Sequence, residues 1–157
     1  MDNQKSRENN IEISGISLDV VDDSLEAHCI KILGSVDVKC SPSEIQACHR
    51  LPSRSEDSTP VIIKFVNRKT AEKALSNRTN ANAKKGLTGK FISLNLSPYF
   101  KHLFYLCRKL RKENYIDRCF PNSNGFIKVR FGGRSVRVTH LGDLTELFPE
   151  FDFGISK

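Results

Sequence analysis

Lys101, Arg108, Lys109, Arg111 and Lys112 place five cations within 12 residues, with Tyr105 among them. On a helix, spacings of three and four bring Lys101, Tyr105, Arg108 and Lys112 onto one exposed face. A cationic density this high exceeds what solubility asks of a surface. The chemistry open to such a face is neutralisation of phosphates, with the tyrosine ring free to stack on a base. Lys128, Arg130, Arg134 and Arg137 form a second group. On a strand, Lys128 and Arg130 share one face while Ile127, Val129 and Phe131 share the other. Three smaller groups precede these. Arg50 follows His49 at the end of a strand and opens a loop with Arg54. Arg68 and Lys69 begin a helix, where cations oppose the dipole, so stability alone does not favour them there. Lys84 and Lys85 sit in a loop able to close over a polymer strand. For each cation the plain alternative is a solvated side chain, and for Tyr105 it is surface packing.

Other chemistries lack their residues. Structural zinc calls for short pairs such as C-x₂₋₄-C, and Cys40 to Cys48 is too wide. The five cysteines have irregular spacing, which suits a reducing compartment rather than a disulfide framework. Cys29, Cys48 and Cys107 each fall on an apolar stripe or strand, where a free thiol acts as a small hydrophobe. The four histidines are scattered with no nucleophile partner. The acids of the central region do not cluster as a two-metal site. Gly86-Leu87-Thr88-Gly89-Lys90 leads into a strand rather than a helix, so it is not a phosphate loop. The expectation is a protein that is not an enzyme and has no metal, cofactor or small-molecule substrate.

The elements that must carry the cations follow from periodicity. Asn10 to Ile16 alternates with period 2, as a half-buried strand does. Asp22 or Asp23 is positioned to cap a helix running to about Gly34, with Leu25, Cys29, Ile32 and Leu33 inward. Ser41 to Glu44 reads as a helical turn with Pro42 first, and Ile45 to Leu51 as a strand. Pro52 to Pro60 is a polar loop. Val61 to Val66 is the strongest strand of the chain. Asn67 can cap a helix from Arg68 to about Arg78 with Ala71, Ala74 and Leu75 inward. Asn80 to Gly89 is a loop, and Phe91 to Leu96 a strand.

A second unit starts at Ser97-Pro98, a cap followed by proline at the first helical position. Its helix reaches about Glu113, burying Phe100, Leu103, Phe104, Cys107 and Leu110. Tyr115 to Phe120 is a candidate strand and Asn122 to Gly125 a turn. Phe126–Phe131 and Ser135–Val138 are strands joined across Gly132-Gly133, a two-residue hairpin signal. A short helix, Asp143 to Phe148, ends at Pro149, and a mobile tail follows.

Summed over 157 residues the charge is +7. By position it is segregated. Residues 1–44 hold four basic and nine acidic side chains, residues 45–140 hold 20 and five, and residues 141–157 hold one and four. A band of net +15 repels itself unless it is spread over a surface or neutralised by a polyanion. No run approaches the ~20 apolar residues of a membrane helix. The polar start, Met1 to Asn10, is unlike a secretory signal. An intracellular location, cytoplasmic or nuclear, is expected.

Several blocks in order carry a likeness: Asn10 to Ile16, Ile45 with Ala47-Cys48-His49-Arg50-Leu51, Pro60 to Arg68, Asn95-Leu96-Ser97-Pro98, and Cys107 to Lys112. Over roughly residues 8–148 the chain resembles the baculovirus FP-protein family and the nucleic-acid-binding half of first-open-reading-frame proteins of non-LTR retrotransposons. The resemblance implies a divergent RNA-recognition-motif domain followed by a small C-terminal domain, both gripping single-stranded nucleic acid. In retrotransposon members a coiled coil precedes this region and trimerises the protein. Met1 stands where such a coil would end, so self-association is expected only through a longer parent protein.

Ordinary RNA-recognition motifs stack bases on aromatics of the central strands. Here Val61-Ile62-Ile63-Lys64-Phe65 has one aromatic, and Val61, Ile63 and Phe65 share a face, which makes Phe65 a core residue. Backbone grip by Lys and Arg is therefore expected over stacking on this sheet.

The expected fold is α+β. Residues 1–8 form a polar arm and residues 9–96 a ferredoxin-like βαββαβ domain of RNA-recognition-motif type. Residues 97–149 form a small α+β domain of helix, strands and short helix, and residues 150–157 a tail. The expected partner is single-stranded RNA or DNA, bound largely without sequence preference in a groove lined by both domains, and no membrane. The competing readings are a protein-interaction adaptor and a transposon-derived copy with no selected role.

Overall fold

Alternation of apolar side chains builds the first sheet, and helices supply its cover. The computed structural model describes residues 7–52, 59–80, 83–122 and 125–154, with only the backbone of Lys84. Arg54, and parts of the Pro52–Pro60 loop, of the Asn80–Gly89 loop and of the Asn122–Gly125 turn, lie outside the described residues, as do residues 1–6 and 155–157. The protein is α+β, with two antiparallel sheets in two units, Glu8–Asn95 and Leu96 onward. Among the described residues no helix is long and apolar enough to cross a membrane.

The first unit runs β1 (Asn10–Ser14), α1 (Asp22–Ser35), a 3₁₀ turn (Pro42–Glu44), β2 (Ile45–Arg50), β3 (Val61–Phe65), α2 (Arg68–Asn77), α3 (Ala83–Gly86) and β4 (Phe91–Leu94). Its strand order is β2-β3-β1-β4. Ile11, Ile13, Val61, Ile63 and Phe65 are buried with Leu25, Cys29, Ile32 and Leu33 of α1 and Ala71 and Ala74 of α2. Phe65 is 0% exposed, a core residue as its neighbours require.

Local physics explains the departures from the sequence expectation. Neither aspartate caps α1: Val21 holds the cap position, and Asp22 and Asp23 lie in the first turn, where they still complement the dipole. The Asn80–Gly89 stretch is not all loop, because α3 forms within it. Strand β1 is buried on both faces rather than half-buried. On its second face the Glu12 carboxylate accepts from Asn95 Nδ2 at 2.8 Å, and Asn10 Nδ2 donates to Asn95 Oδ1 at 3.1 Å. Two expectations hold as hydrogen bonds. Asn67 accepts from the Lys69 amide at 2.9 Å at the start of α2. The Ser41 amide donates to Glu44 Oε2 at 2.7 Å at the 3₁₀ turn.

The second unit runs α4 (Pro98–Lys112), β5 (Arg118–Asn122), β6 (Phe126–Phe131), β7 (Arg134–Val138) and α5 (Leu141–Leu147), with strand order β5-β6-β7. Ser97 accepts from the Phe100 amide to cap α4. Leu103, Leu106, Cys107 and Leu110 bury against Ile127, Val129 and Val138. Gly132 and Gly133 both take positive φ, 56° and 75°, which the tight β6–β7 hairpin requires.

Two features of this unit differ from expectation. Helix α5 begins at Leu141, two residues before the expected start, with His140 at the cap position and Asp143 as its third residue. From there Asp143 Oδ2 accepts from the Thr139 amide at 2.9 Å and the His140 amide at 3.2 Å. The tail is packed rather than mobile through Gly154: Phe151 and Phe153 are buried with Phe148, and Tyr115 meets Phe151 edge-on at 5.3 Å. Their apolar area offsets the entropy of ordering the segment.

Gly15 has φ +92°, and a Cβ built there would run into the carbonyl oxygen of Gly89. Gly15→Ala is expected to lower stability by about 2 kcal/mol or more, from backbone strain and clash together. Gly89→Ala has open space and carries only the left-handed backbone cost of about 1–2 kcal/mol. Urea unfolding midpoints would rank the two, and equal losses would refute the close approach. Asp143→Asn is expected to cost about 1 kcal/mol at pH 7. Hydrogen bonds, first from Thr139, hold the Asp143 carboxyl below its usual range. Its contribution is thus present above the unfolded carboxylate pKa and is lost as pH falls through the lower folded one. Thermal melts of wild type and D143N should therefore converge in strong acid, and a gap that stays constant with pH would refute the role of the carboxylate.

Candidate nucleic-acid interface

The register of the second sheet sorts side chains onto two faces. Arg118 opposes Arg130, Cys119 opposes Val129 and Phe120 opposes Lys128 across β5 and β6. Lys128 opposes Arg137 and Arg130 opposes Ser135 across β6 and β7. One face thus carries Cys119, Ile127, Val129, Val136 and Val138 toward α4. The other carries Arg118, Phe120, Asn122, Phe126, Lys128, Arg130, Ser135 and Arg137, with no acid among them. Phe120 is 43% exposed, and Arg137 Cζ stands 4.4 Å from the Phe126 ring centroid. None of the four cations ion-pairs with a described residue. Like charges directly opposite across strands destabilise a sheet. Arg118–Arg130 and Lys128–Arg137 are two such pairs on one small face. Aromatic rings between solvated cations are what a single strand with phosphates and unpaired bases can use.

Helix α4 presents its own basic face. With one stripe buried, Lys101, Tyr105, Arg108 and Lys112 fall on the opposite side, all exposed, with His102 and Lys109 flanking. His102 stacks on Tyr105 at 6.2 Å between centroids, and Lys109 Nζ lies 5.6 Å from the Tyr105 centroid. Arg108 Cζ lies 5.0 Å over Phe104. Arg111 is exposed on the other flank. Because α4 covers the apolar face of the sheet, its basic row faces away from the sheet cations. The second unit therefore has two basic surfaces, not one. Arg134 opposes Phe131 at the hairpin end, with its Cζ 4.9 Å from that ring.

In the first unit the expected contacts divide. Arg50 is engaged by its own fold: its guanidinium donates to Thr59 Oγ1 at 3.1 Å, to the Ser17 carbonyl at 2.8 Å and to the Val20 carbonyl at 3.0 Å. It ties the β1–α1 connection to the end of β2, which leaves it a poor phosphate ligand. Arg68 is neutralised by Glu8 at 3.3 Å and Glu72 at 3.0 Å, so the helix-start cost inferred for it is answered by acids. Lys69 and Lys85 are exposed, and Lys84 has no described side chain. The sheet face away from α1 and α2 has no aromatic on β1 or β3. Its one phenyl ring among the described residues is Phe91 on edge strand β4, 69% exposed beside Lys90.

Arg118, Phe120 and Phe91 escape the sequence reading. Assigning β5 to Tyr115–Phe120 hides the alternation Arg118, Phe120, Asn122, and Pro121 discourages extending the strand. Edge position makes Pro121 tolerable.

Four of the five thiols, Cys29, Cys40, Cys107 and Cys119, are raised above the usual thiol range, whereas the contact with Cys29 lowers Cys48. Burial pushes Cys107 up to about 12 and Cys40 up to about 11. Cys29 is raised by its contact with Cys48, 3.8 Å away, and by burial. Among the described residues no three His, Cys, Asp or Glu side chains gather as a metal site.

Arg50→Ala is expected to lower the stability of the first unit by about 1–3 kcal/mol through its lost charged hydrogen bonds. A nucleic-acid titration at a temperature where the variant stays folded should differ from wild type by less than about twofold, well under the loss of one charge-assisted contact. A stable variant with a large binding loss would reverse the assignment. Compared with protein-family models and with curated protein sequences, the chain matches none.

Proposed function

We propose that this protein binds single-stranded nucleic acid, largely without sequence preference, through the second unit. The observation that carries the reading is the outer face of the β5-β6-β7 sheet, where four cations without ion-pair partners among the described residues surround Phe120 and Phe126. The α4 row of Lys101, Tyr105, Arg108 and Lys112 adds a second exposed surface that combines basic and aromatic side chains. Lys69 and Lys85 are further exposed cations of the first unit, while Arg50 and Arg68 drop out as primary contacts. A strand running over either face of the second unit would neutralise phosphates with lysine and arginine and lay unstacked bases on the phenylalanine and tyrosine rings.

We read the first unit as ferredoxin-like, of RNA-recognition-motif type. What supports this is the β-α-β-β-α-β order of its main elements with sheet order β2-β3-β1-β4. The outer face of the central strands β1 and β3, which carries no aromatic, argues for backbone grip over base stacking there. A kinship with FP proteins and retrotransposon first-open-reading-frame proteins is part of the same proposal, as is an intracellular, non-enzymatic role.

The test is a binding titration with single- and double-stranded RNA and DNA at several salt concentrations. Single strands should bind at micromolar or tighter Kd, with log K falling by about 0.7 per phosphate contact against log salt. Replacing Arg118, Lys128, Arg130 and Arg137 together with Ala should flatten that slope by about 3. Replacing Arg108, Arg111 and Lys112 should flatten it by about 2. A salt-independent affinity, or indifference to oligonucleotides with retention of an acidic protein, would overturn the reading.

A further inference from the structure

Beside the Gly132–Gly133 turn, the second unit holds an open cavity of about 340 Å³ lined by Asp117, Arg118, Arg130, Phe131, Gly133 and Arg134. Arg118 and Arg130 reach this space from the outer sheet face, and Arg134, which by register lies with Phe131 on the α4 side, reaches it at the hairpin end. Arg118 and Arg130 are cross-strand partners, and Arg134 Cζ lies 4.9 Å from the Phe131 ring centroid. None of the three ion-pairs with a described carboxylate, and the Asp117 backbone amide donates to the Arg130 carbonyl at 2.8 Å. The lining carries three positive charges and one negative. We propose that this cavity binds a phosphate monoester, the terminal phosphate of a nucleic-acid strand, an inference that rests on the nucleic-acid reading above.

Charge and shape select that ligand. An internal phosphodiester carries a single negative charge, whereas a monoester carries about −1.5 to −2 at pH 7 and exposes three acceptor oxygens. A net of two positive charges matches the monoester. Guanidinium forks bind such oxygens in pairs, and an aromatic ring against one fork limits its freedom before the ligand arrives. Gly133 leaves the rim open, since a Cβ there would meet nothing within 4 Å. The cavity exceeds the size of one phosphate group, so the attached sugar fits with it. The outer sheet face, with Lys128 and Arg137 beyond Arg118 and Arg130, then continues the path for the following phosphates.

The experiment uses short single strands of one sequence with a 5′-phosphate, a 3′-phosphate or hydroxyl ends, as competitors against a labelled strand on the full chain. One phosphorylated form should compete about tenfold better than the hydroxyl form, the equivalent of one added charge-assisted contact. Arg134→Ala and the charge-preserving Arg134→Lys should each bring that ratio toward one, with folding checked by circular dichroism. Equal competition by all three strands overturns the terminal-phosphate site and leaves the nucleic-acid reading standing. Failure of all three to compete or bind overturns the reading itself. A preference that survives both Arg134 variants places the terminal phosphate elsewhere and also overturns this site.

Discussion

Antiparallel pairing of β5, β6 and β7 is the constraint on which the candidate interface depends. Because side chains alternate with period 2, one register assigns every residue of three strands to a face at once. Ile127, Val129 and Val138 go to α4, and Arg118, Lys128, Arg130 and Arg137 go to the other side. Slipping the register by one residue would bury the cations and expose the valines, at a cost no hydrogen bond could offset. The apolar face therefore holds the cationic face in place. Opposed cations weaken the pairing locally, and the buried core carries them. A bound polyanion would turn that repulsion into attraction.

The same logic governs α4. Its buried leucines lock the helix rotation, and rotation alone aims Lys101, Tyr105, Arg108 and Lys112 outward together. Sheet and helix share one core, so their basic surfaces look in opposite directions. The second unit presents charge around a small body rather than within a single slot. The first unit follows a different rule. Its sheet buries Phe65 and satisfies Glu12 with Asn95, and its arginines at positions 50 and 68 are taken up by its own carbonyls and acids.

How far these features were legible in the chain varies with their range. Leu25, Cys29, Ile32 and Leu33 follow from helical spacing, and Phe65 follows from its alternation with Val61 and Ile63. The Asn67 and Ser97 caps are local hydrogen bonds between residues two or three apart, so their sequence signature is direct. The start of α5 was set two residues late, at Asp143, because the Thr139 and His140 amides that this carboxylate accepts from come together only once the backbone is fixed. Phe151 and Phe153 misled because a tail after proline resembles a loose end, and only a hydrophobic surface built by α4 and the sheet gives it somewhere to pack. Arg118 and Phe120 were masked because the strand was expected to start at Tyr115 and to stop before Pro121.

The sequence by itself determined the types of the strands and of every helix but α3, the apolar stripes, the segregation of charge into a central band and the basic character of α4. These rest on periodicity and composition, which act over a turn or a strand. Tertiary structure alone decided which cations stay available. Arg50 finds carbonyls 30 and 33 residues away and Arg68 an acid 60 residues away, while Arg118 and Arg130 meet across a register without an ion-pair partner among the described residues. A guanidinium's role depends on what lies within a few ångströms of it, and for residues far apart in the chain that distance exists only once the chain has folded.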